Sequence, residues 1–316
     1  MIKRITDLMF FSLLLLVILG FPVLLQASGD EPVRFFFMGD GKIHLQNAKN
    51  GYEADVLYLN PDGALNQNAM TVIDRVFGYP TEEKGEHISP RLIAMLDYFS
   101  DRAAPGKVIH LISGYRSPEY NEKLKKAGGN VARTSAHIDG MATDFYIEGV
   151  DGKQFWEMVR KENCCGVGHY GGKDVHLDAG RPRFWEAATS KVRTHVRNFN
   201  RSIYMSSYYD RYKVGEKVHL SLSSVSDFGF GIKKKATIVK DHERDKAVAA
   251  VNIETNDLAE CIFLKERKAS RFIYMTLPRD LTSGMYRIQV EYCQRPYKQM
   301  PTGVLSNKIE VMGDSR

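Results

Sequence analysis

Ser135-Ala-His137-Ile-Asp-Gly140-Met-Ala142-Thr-Asp144, with Asp174-Val-His176-Leu-Asp178 further on, is the text on which the reading of this chain turns. It offers two imidazoles and a carboxylate that can converge on one cation. Zn²⁺ takes N and O ligands in a tetrahedron, and a catalytic site uses three protein ligands and leaves a fourth position for water. His137, Asp144 and His176 meet that count. Gly140 and Ala142 let the backbone turn tightly between the first two ligands before it runs into Asp-Phe-Tyr-Ile. The alternation in Asp174-Val-His-Leu-Asp178 predicts a strand with Asp174, His176 and Asp178 on one face. The third ligand then has a carboxylate on either side, suited to a base and to a support for the imidazole. One histidine beside a strand is ordinarily a core or surface residue, so the ligand reading rests on the combination.

Further residues extend the pattern. Ser113-Gly-Tyr-Arg116-Ser-Pro-Glu-Tyr-Asn121 lies upstream, and Gly166-Val-Gly-His-Tyr170 leads to Val-His-Leu-Asp-Ala-Gly-Arg-Pro-Arg-Phe-Trp185. These ordered motifs, spread from about residue 34 to 186, resemble the zinc D-Ala-D-Ala carboxypeptidase and murein endopeptidase family, most of all its periplasmic MepK-type branch. The resemblance implies a hedgehog/DD-peptidase-like α+β domain. It implies a zinc metallopeptidase, D,D- or L,D-endopeptidase or carboxypeptidase, acting on peptidoglycan stem peptides, with the branch favouring cross-link cleavage. Zn²⁺ would sit on His137, Asp144 and His176, and Arg116 would clamp the substrate's carbonyl or carboxylate. Members often place an acid three positions before the last histidine, where this chain has Lys173. Asp174 is the nearest replacement and is taken as the base, with Asp178 competing. His169, on the strand that turns back towards His176, is a candidate donor to the substrate oxyanion or simply a half-exposed strand histidine. Ser135 fixes the turn before His137. The rival reading is a non-catalytic wall-binding protein that keeps the zinc fold, to which Lys173 and the extra C-terminal half both point.

Bulk properties set wider bounds. A chain of 316 residues with 43% hydrophobic and 26% charged residues has room for two domains and a sizeable core. A net charge of +6 without a basic stripe interleaved with aromatics is no nucleic-acid footprint. Lys233-Lys-Lys235 reads as a solvated turn. Four cysteines are too few for a disulfide scaffold. Adjacent Cys164 and Cys165 are strained partners, whereas Cys261 and Cys293 either pair in an oxidising compartment or lie buried as separate thiols.

Met1-Ile-Lys3-Arg4 is cationic and Leu8 to Leu25 nearly all apolar, the layout of a secretory signal or, uncleaved, of an N-terminal anchor. Residues 1–28 are assigned that role. Either way the remainder is exported to the periplasm or cell envelope, and any membrane tether runs through the N-terminus alone. The zinc domain is expected over residues 33–190.

Within it, strands are predicted at Arg34–Met38 and Tyr52–Leu59, and helices at 65–77, from Ser89-Pro90, from Ser117-Pro118 and at 152–163. Further strands are expected at Lys107–Ile112 and 141–147, then two over 166–178 joined at Gly171-Gly172. After Trp185 helical periodicity gives way to short alternating runs separated by turn residues: Lys217–Leu222, Ala236–Val239, Ala247–Ile253, Glu260–Leu264, Phe272–Thr276, Met285–Tyr292 and Val304–Val311. That texture predicts an all-β immunoglobulin-like sandwich over 195–316. His44, His87, His110, His195, His219 and His242 belong to no ligand-like cluster.

Overall fold

The computed structural model describes residues 33–128, 132–190, 197–256 and 258–313. The N-terminal segment 1–28, the boundary expected near 195 and His195 lie outside them. Among the described residues no helix is long and apolar enough to cross a membrane.

The fold is mixed α/β and built on several sheets. Its first part runs β1 (Lys42–Asn47), β2 (Tyr52–Leu57), α1 (Gln67–Phe77), α2 (Thr81–Lys84), α3 (Pro90–Ala103), β3 (Ile109–Ser113) and α4 (Pro118–Lys126). It continues with β4 (Ala142–Ile147), α5 (Gly152–Glu162), β5 (Gly166–Gly171), β6 (Asp174–Asp178) and β7 (Arg183–Glu186). These strands form one seven-stranded sheet in the order β2-β1-β3-β4-β6-β5-β7. Central β4 is buried on both faces along most of its length, and it is the strand that carries Asp144.

The helices start where local chemistry places them. Asn66 caps α1 by accepting the Ala69 N–H, Ser117 caps α4 through Tyr120, and Asp151 caps α5 through Gln154. Ser89 is the exception: its hydroxyl makes no cap, and its N–H donates to Gly140 O at 2.8 Å, which ties α3 to the loop holding His137. The Leu92, Met95, Leu96 and Phe99 stripe of α3 is core, packed in one apolar cluster with Ile73, Phe145, Val159 and Leu177.

The expected strand at Arg34–Met38 is absent, and β1 was not anticipated. The reason lies in where that backbone spends its hydrogen bonds. Arg34 O accepts from Asp210 N and Arg211 N, Phe36 N donates to Asp210 Oδ2 at 3.1 Å, and the Arg211 guanidinium donates to the carbonyls of Val33 and Phe35. With its groups taken by a distant loop, the segment joins no ladder.

The later part runs β8 (Tyr204–Ser207), β9 (Arg211–Lys213), β10 (Lys217–Ser223), β11 (Phe230–Lys233), β12 (Lys235–Lys240), β13 (Glu243–Asn252) and β14 (Cys261–Leu264). Then come α6 (Arg267–Arg271), β15 (Ile273–Thr276), β16 (Gly284–Gln294), β17 (Gly303–Leu305) and β18 (Ile309–Met312). A three-stranded sheet, β15-β10-β8, and an eight-stranded sheet centred on β12 and β16 share one core. Leu220, Met205 and Met275 from the first pack there with Ile238, Ile288 and Val290 from the second. Cys261 on β14 and Cys293 near the end of β16 are bonded across the intervening β11, with Cα atoms 5.9 Å apart. Cys164 and Cys165 are bonded too, against the expectation from their adjacency.

Candidate metal centre

Three elements deliver the three expected ligands. His137 sits in a run of tight turns between α4 and β4, in which Ile138, Asp139, Gly140 and Met141 each donate back to a carbonyl of residues 135–137. Gly140 has φ +63°, and a Cβ there would stand 2.4 Å from the Tyr79 ring, so the turn admits only glycine without strain. Asp144 is on β4, directly opposite His176 on β6 in the antiparallel register. All three side chains are buried, and one ligand atom from each lies within 4.8 Å of the others.

The tautomers follow from the partners. Gly114 O accepts from His137 Nδ1 at 2.7 Å, so the proton is on Nδ1 and the bare Nε2 faces inward. That Nε2 is buried with no hydrogen-bond partner, 3.3 Å from Asp144 Oδ1. On the other side, the carboxylate of Asp178 accepts from His176 Nε2 at 2.9 Å, which turns Nδ1 towards Asp144 Oδ1 at 2.8 Å. An N,N,O set of acceptors pointed at one another is stable only around a positive charge. The donor types, their burial and the orphaned Nε2 fit Zn²⁺.

Electrostatics agree with this. Burial alone would raise the pKa of Asp144, yet the electrostatic pull of His137 and the hydrogen bond and charge of His176 hold it well below the carboxylate range. Burial lowers His137. It also works against the charged form of His176, but hydrogen bonds to Asp144 and Asp178 and their charges outweigh it and raise that group. Asp178 is held well below its ordinary value against burial by Arg183, whose Nη2 lies 2.6 Å away, and by His176.

A cavity of about 470 Å³ opens over the centre, and Arg116, Thr134, Ser135, Tyr170, Arg183 and Trp185 line it with the three ligands. Arg116 reaches Asp144 Oδ2 at 2.5 Å and donates from Nε to Ser113 Oγ at 2.9 Å. Tyr170 donates its hydroxyl to Asp144 Oδ1 at 3.0 Å, and burial with the nearby Asp144 charge pushes its phenol pKa far up, so it stays a neutral donor. Trp185 packs on the His176 ring at 4.9 Å between centroids. It crosses the strand at Gly168, where a Cβ would stand 2.4 Å from the indole.

The remaining expected residues stand elsewhere. Asp174 shares the β6 face of His176 but does not line the cavity. His169 pairs across the hairpin with Val175, a core residue, and so faces away from His176, with Nδ1 3.6 Å from Glu186 Oε2. Asp178 is 1% exposed and committed to His176, Arg183 and the Gly180 N–H. Ser135 Oγ accepts the His137 N–H at 3.4 Å, the turn support expected of it. Tyr170 and Trp185 escaped the sequence reading as site residues. The strand parity that puts Gly168 opposite His176 also puts Tyr170, and not His169, on the site face.

Known proteins bear on this geometry. The family model described as peptidoglycan L,D-endopeptidase MepK matches residues 39–185. The MepK proteins of Escherichia coli K12 and Shigella flexneri are each 30% identical over 142 residues, covering 45% of this chain and 78% of theirs. A Haemophilus influenzae counterpart is 35% identical over 79 residues, 25% of this chain and 42% of that protein. The matched stretch contains His137, Asp144 and His176, and the chain belongs to the peptidoglycan L,D-endopeptidase MepK family.

Proposed function

We propose that this chain is an exported zinc peptidase that hydrolyses an L,D amide bond in peptidoglycan cross-links, as an endopeptidase more than a carboxypeptidase. The observation that carries the reading is the buried convergence of His137 Nε2, Asp144 and His176 Nδ1 at the floor of an open cavity, in a chain of this family. His137, Asp144 and His176 would hold the zinc. When bound, it supplies a Lewis acid for the scissile carbonyl and lowers the pKa of a water.

The chain's own residues do the rest. Asp178, braced by Arg183, keeps His176 in the ligating tautomer. Arg116 holds the outer oxygen of Asp144 and lines the cavity, where its cation meets a substrate carbonyl or carboxylate. Tyr170, a neutral donor on the site face, takes the role of stabilising a developing oxyanion that strand parity denies His169. Asp174 is assigned the proton transfer. It lies two residues along β6 from His176 on the same face, a backbone spacing of about 6.6 Å, and is the nearest carboxylate in the sequence to the position where relatives often carry an acid. The apolar N-terminal stretch supports export, as a cleaved signal or as an anchor at that end.

One observation favours a second reading, a wall-binding protein without turnover. Lys173, at the position where relatives often carry an acid, pairs on the surface with Glu148 at 2.9 Å, and Asp144 is the carboxylate among the residues lining the cavity. Digestion of defined cross-linked and uncross-linked muropeptides, with products read by mass, decides between them. Chelator-sensitive cleavage of the cross-linked substrate, abolished by His176→Ala and cut at least a hundredfold by Asp174→Asn, is the expected result. Stoichiometric zinc with no product would leave the binding protein.

A further inference from the structure

The turn that carries His137 is gripped from the other half of the chain. Asp139, two residues after His137, is 6% exposed. Its Oδ1 pairs with Arg267 Nη1, its Oδ2 accepts the Ser224 N–H at 2.8 Å, and its backbone carbonyl accepts from Arg271 Nη2 at 3.0 Å. The same two arginines meet Glu86: Arg271 Nε lies 2.9 Å from Oε2, and Arg267 Nη2 lies 3.5 Å from Oε1. Glu86 also accepts the Tyr79 hydroxyl at 2.5 Å, and the Tyr79 ring is the surface against which Gly140 fits. Asp139 and Gly140 are thus fixed from two sides by one network whose cations both come from α6.

Buried charge is a poor way to hold two halves of a protein together, because desolvation offsets most of the attraction and an apolar contact of equal size does as well. What a fork of arginines on a carboxylate and a carbonyl supplies is direction. Here the direction is imposed on the segment that aims His137, whose own carbonyl accepts from Gly140 N and Arg116 N. The contact of Arg34 with Glu216, also between the halves, holds the 33–36 segment and touches no part of the turn.

Resting on the peptidase reading above, we infer that Arg267 and Arg271 are positioning residues for the metal centre, so that the second half of the chain completes a site whose ligands all lie in the first. Both arginines lie outside the stretch matched by the family model, which ends at residue 185.

The test uses the full chain and measures zinc affinity by competition with a chromophoric chelator, turnover at saturating zinc, and thermal stability. Arg267→Met is expected to raise the zinc Kd and lower kcat about tenfold each, the scale of losses when groups supporting a ligand are removed, with KM within about twofold. Asp139→Asn keeps the shape of the side chain and the bond from Ser224, loses the ion pair, and follows the same pattern even where Arg267→Met folds poorly. Arg34→Met, which breaks a contact between the halves far from the turn, leaves zinc affinity and kcat at the wild-type level. Wild-type zinc affinity in Asp139→Asn, or an equal loss in Arg34→Met, overturns the inference. A wild-type chain that cleaves no muropeptide would sink the peptidase reading alone, since the zinc comparison still decides the role of the arginines.

Discussion

Asp178 Oδ2 accepts from His176 Nε2 at 2.9 Å while His176 Nδ1 lies 2.8 Å from Asp144, so one carboxylate chooses which nitrogen of the ligand is bare. Asp178→Asn removes that choice and leaves Arg183 without its ion pair. Zinc Kd should rise 10–100-fold, with a smaller loss of kcat once zinc is saturating. The alternative role of Asp178 as general base predicts the opposite split, with unchanged affinity and collapsed turnover. Chelator competition and saturated kinetics on one protein preparation separate the two.

The pH dependence of zinc binding follows from the same contacts. In the metal-free centre the charges of Asp144 and Asp178 raise the pKa of His176 against burial, while burial lowers that of His137. A ligating nitrogen must be bare, so zinc displaces a proton from His176 and not from His137. Affinity should fall about tenfold per pH unit below the raised value, and that fall begins at a higher pH than an ordinary histidine would give. Calorimetry in buffers of different ionisation enthalpy should show protons released as zinc binds, and more of them as pH falls from 8 to 6. A release of none, or a flat affinity from pH 6 to 8, would contradict the assignment.

The convergence of His137, Asp144 and His176 was legible because it obeys local rules. Alternation fixes which residues of β6 share a face, and a glycine between His137 and Asp144 marks the turn. Parity across the hairpin was harder. Pairing Gly168 with His176 depends on the irregular turn at Gly171 and Gly172, and a shift by one residue exchanges Tyr170 for His169 on the site face. The Arg34–Met38 segment reads as a strand by composition, yet a loop 174 residues away takes its Phe36 N–H. The hold of Arg267 on Asp139 spans 128 positions, and nothing local to either residue announces it.

Asp97 gives a second, independent pH effect. It is fully buried on α3, where its Oδ2 accepts from Gly41 N–H and the Tyr58 hydroxyl and its Oδ1 has no partner. Burial, helped by the charges of Asp101 and Asp40, pushes its carboxyl up to about 7 despite those hydrogen bonds. The folded state therefore keeps a proton that the unfolded chain has already lost above its ordinary 3.8. Stability from this group declines as pH climbs from about 4 to about 7 and stays reduced above that. Asp97→Asn keeps the acceptor and cannot ionise, so its Tm should gain on the wild type between pH 5 and pH 8. Parallel Tm curves for the two proteins would show that Asp97 titrates normally.

Gly140 and Gly128 separate the cost of a backbone conformation from the cost of a collision. Both have positive φ, +63° and +82°, but a Cβ on Gly128 meets nothing within 4 Å while one on Gly140 stands 2.4 Å from the Tyr79 ring. Gly128→Ala should lose about 1 kcal/mol, the penalty of a left-handed alanine. Gly140→Ala adds an overpacking cost of about 1–3 kcal/mol. The Tyr79 ring is held through Glu86 by Arg271, so the loop has to yield instead, and His137 moves with it. Gly140→Ala should therefore weaken zinc binding as well as lower Tm, whereas Gly128→Ala lowers Tm alone. Denaturant titration paired with chelator competition tests this, and equal zinc affinity in the two variants would mean that the turn absorbs the extra methyl without disturbing its histidine.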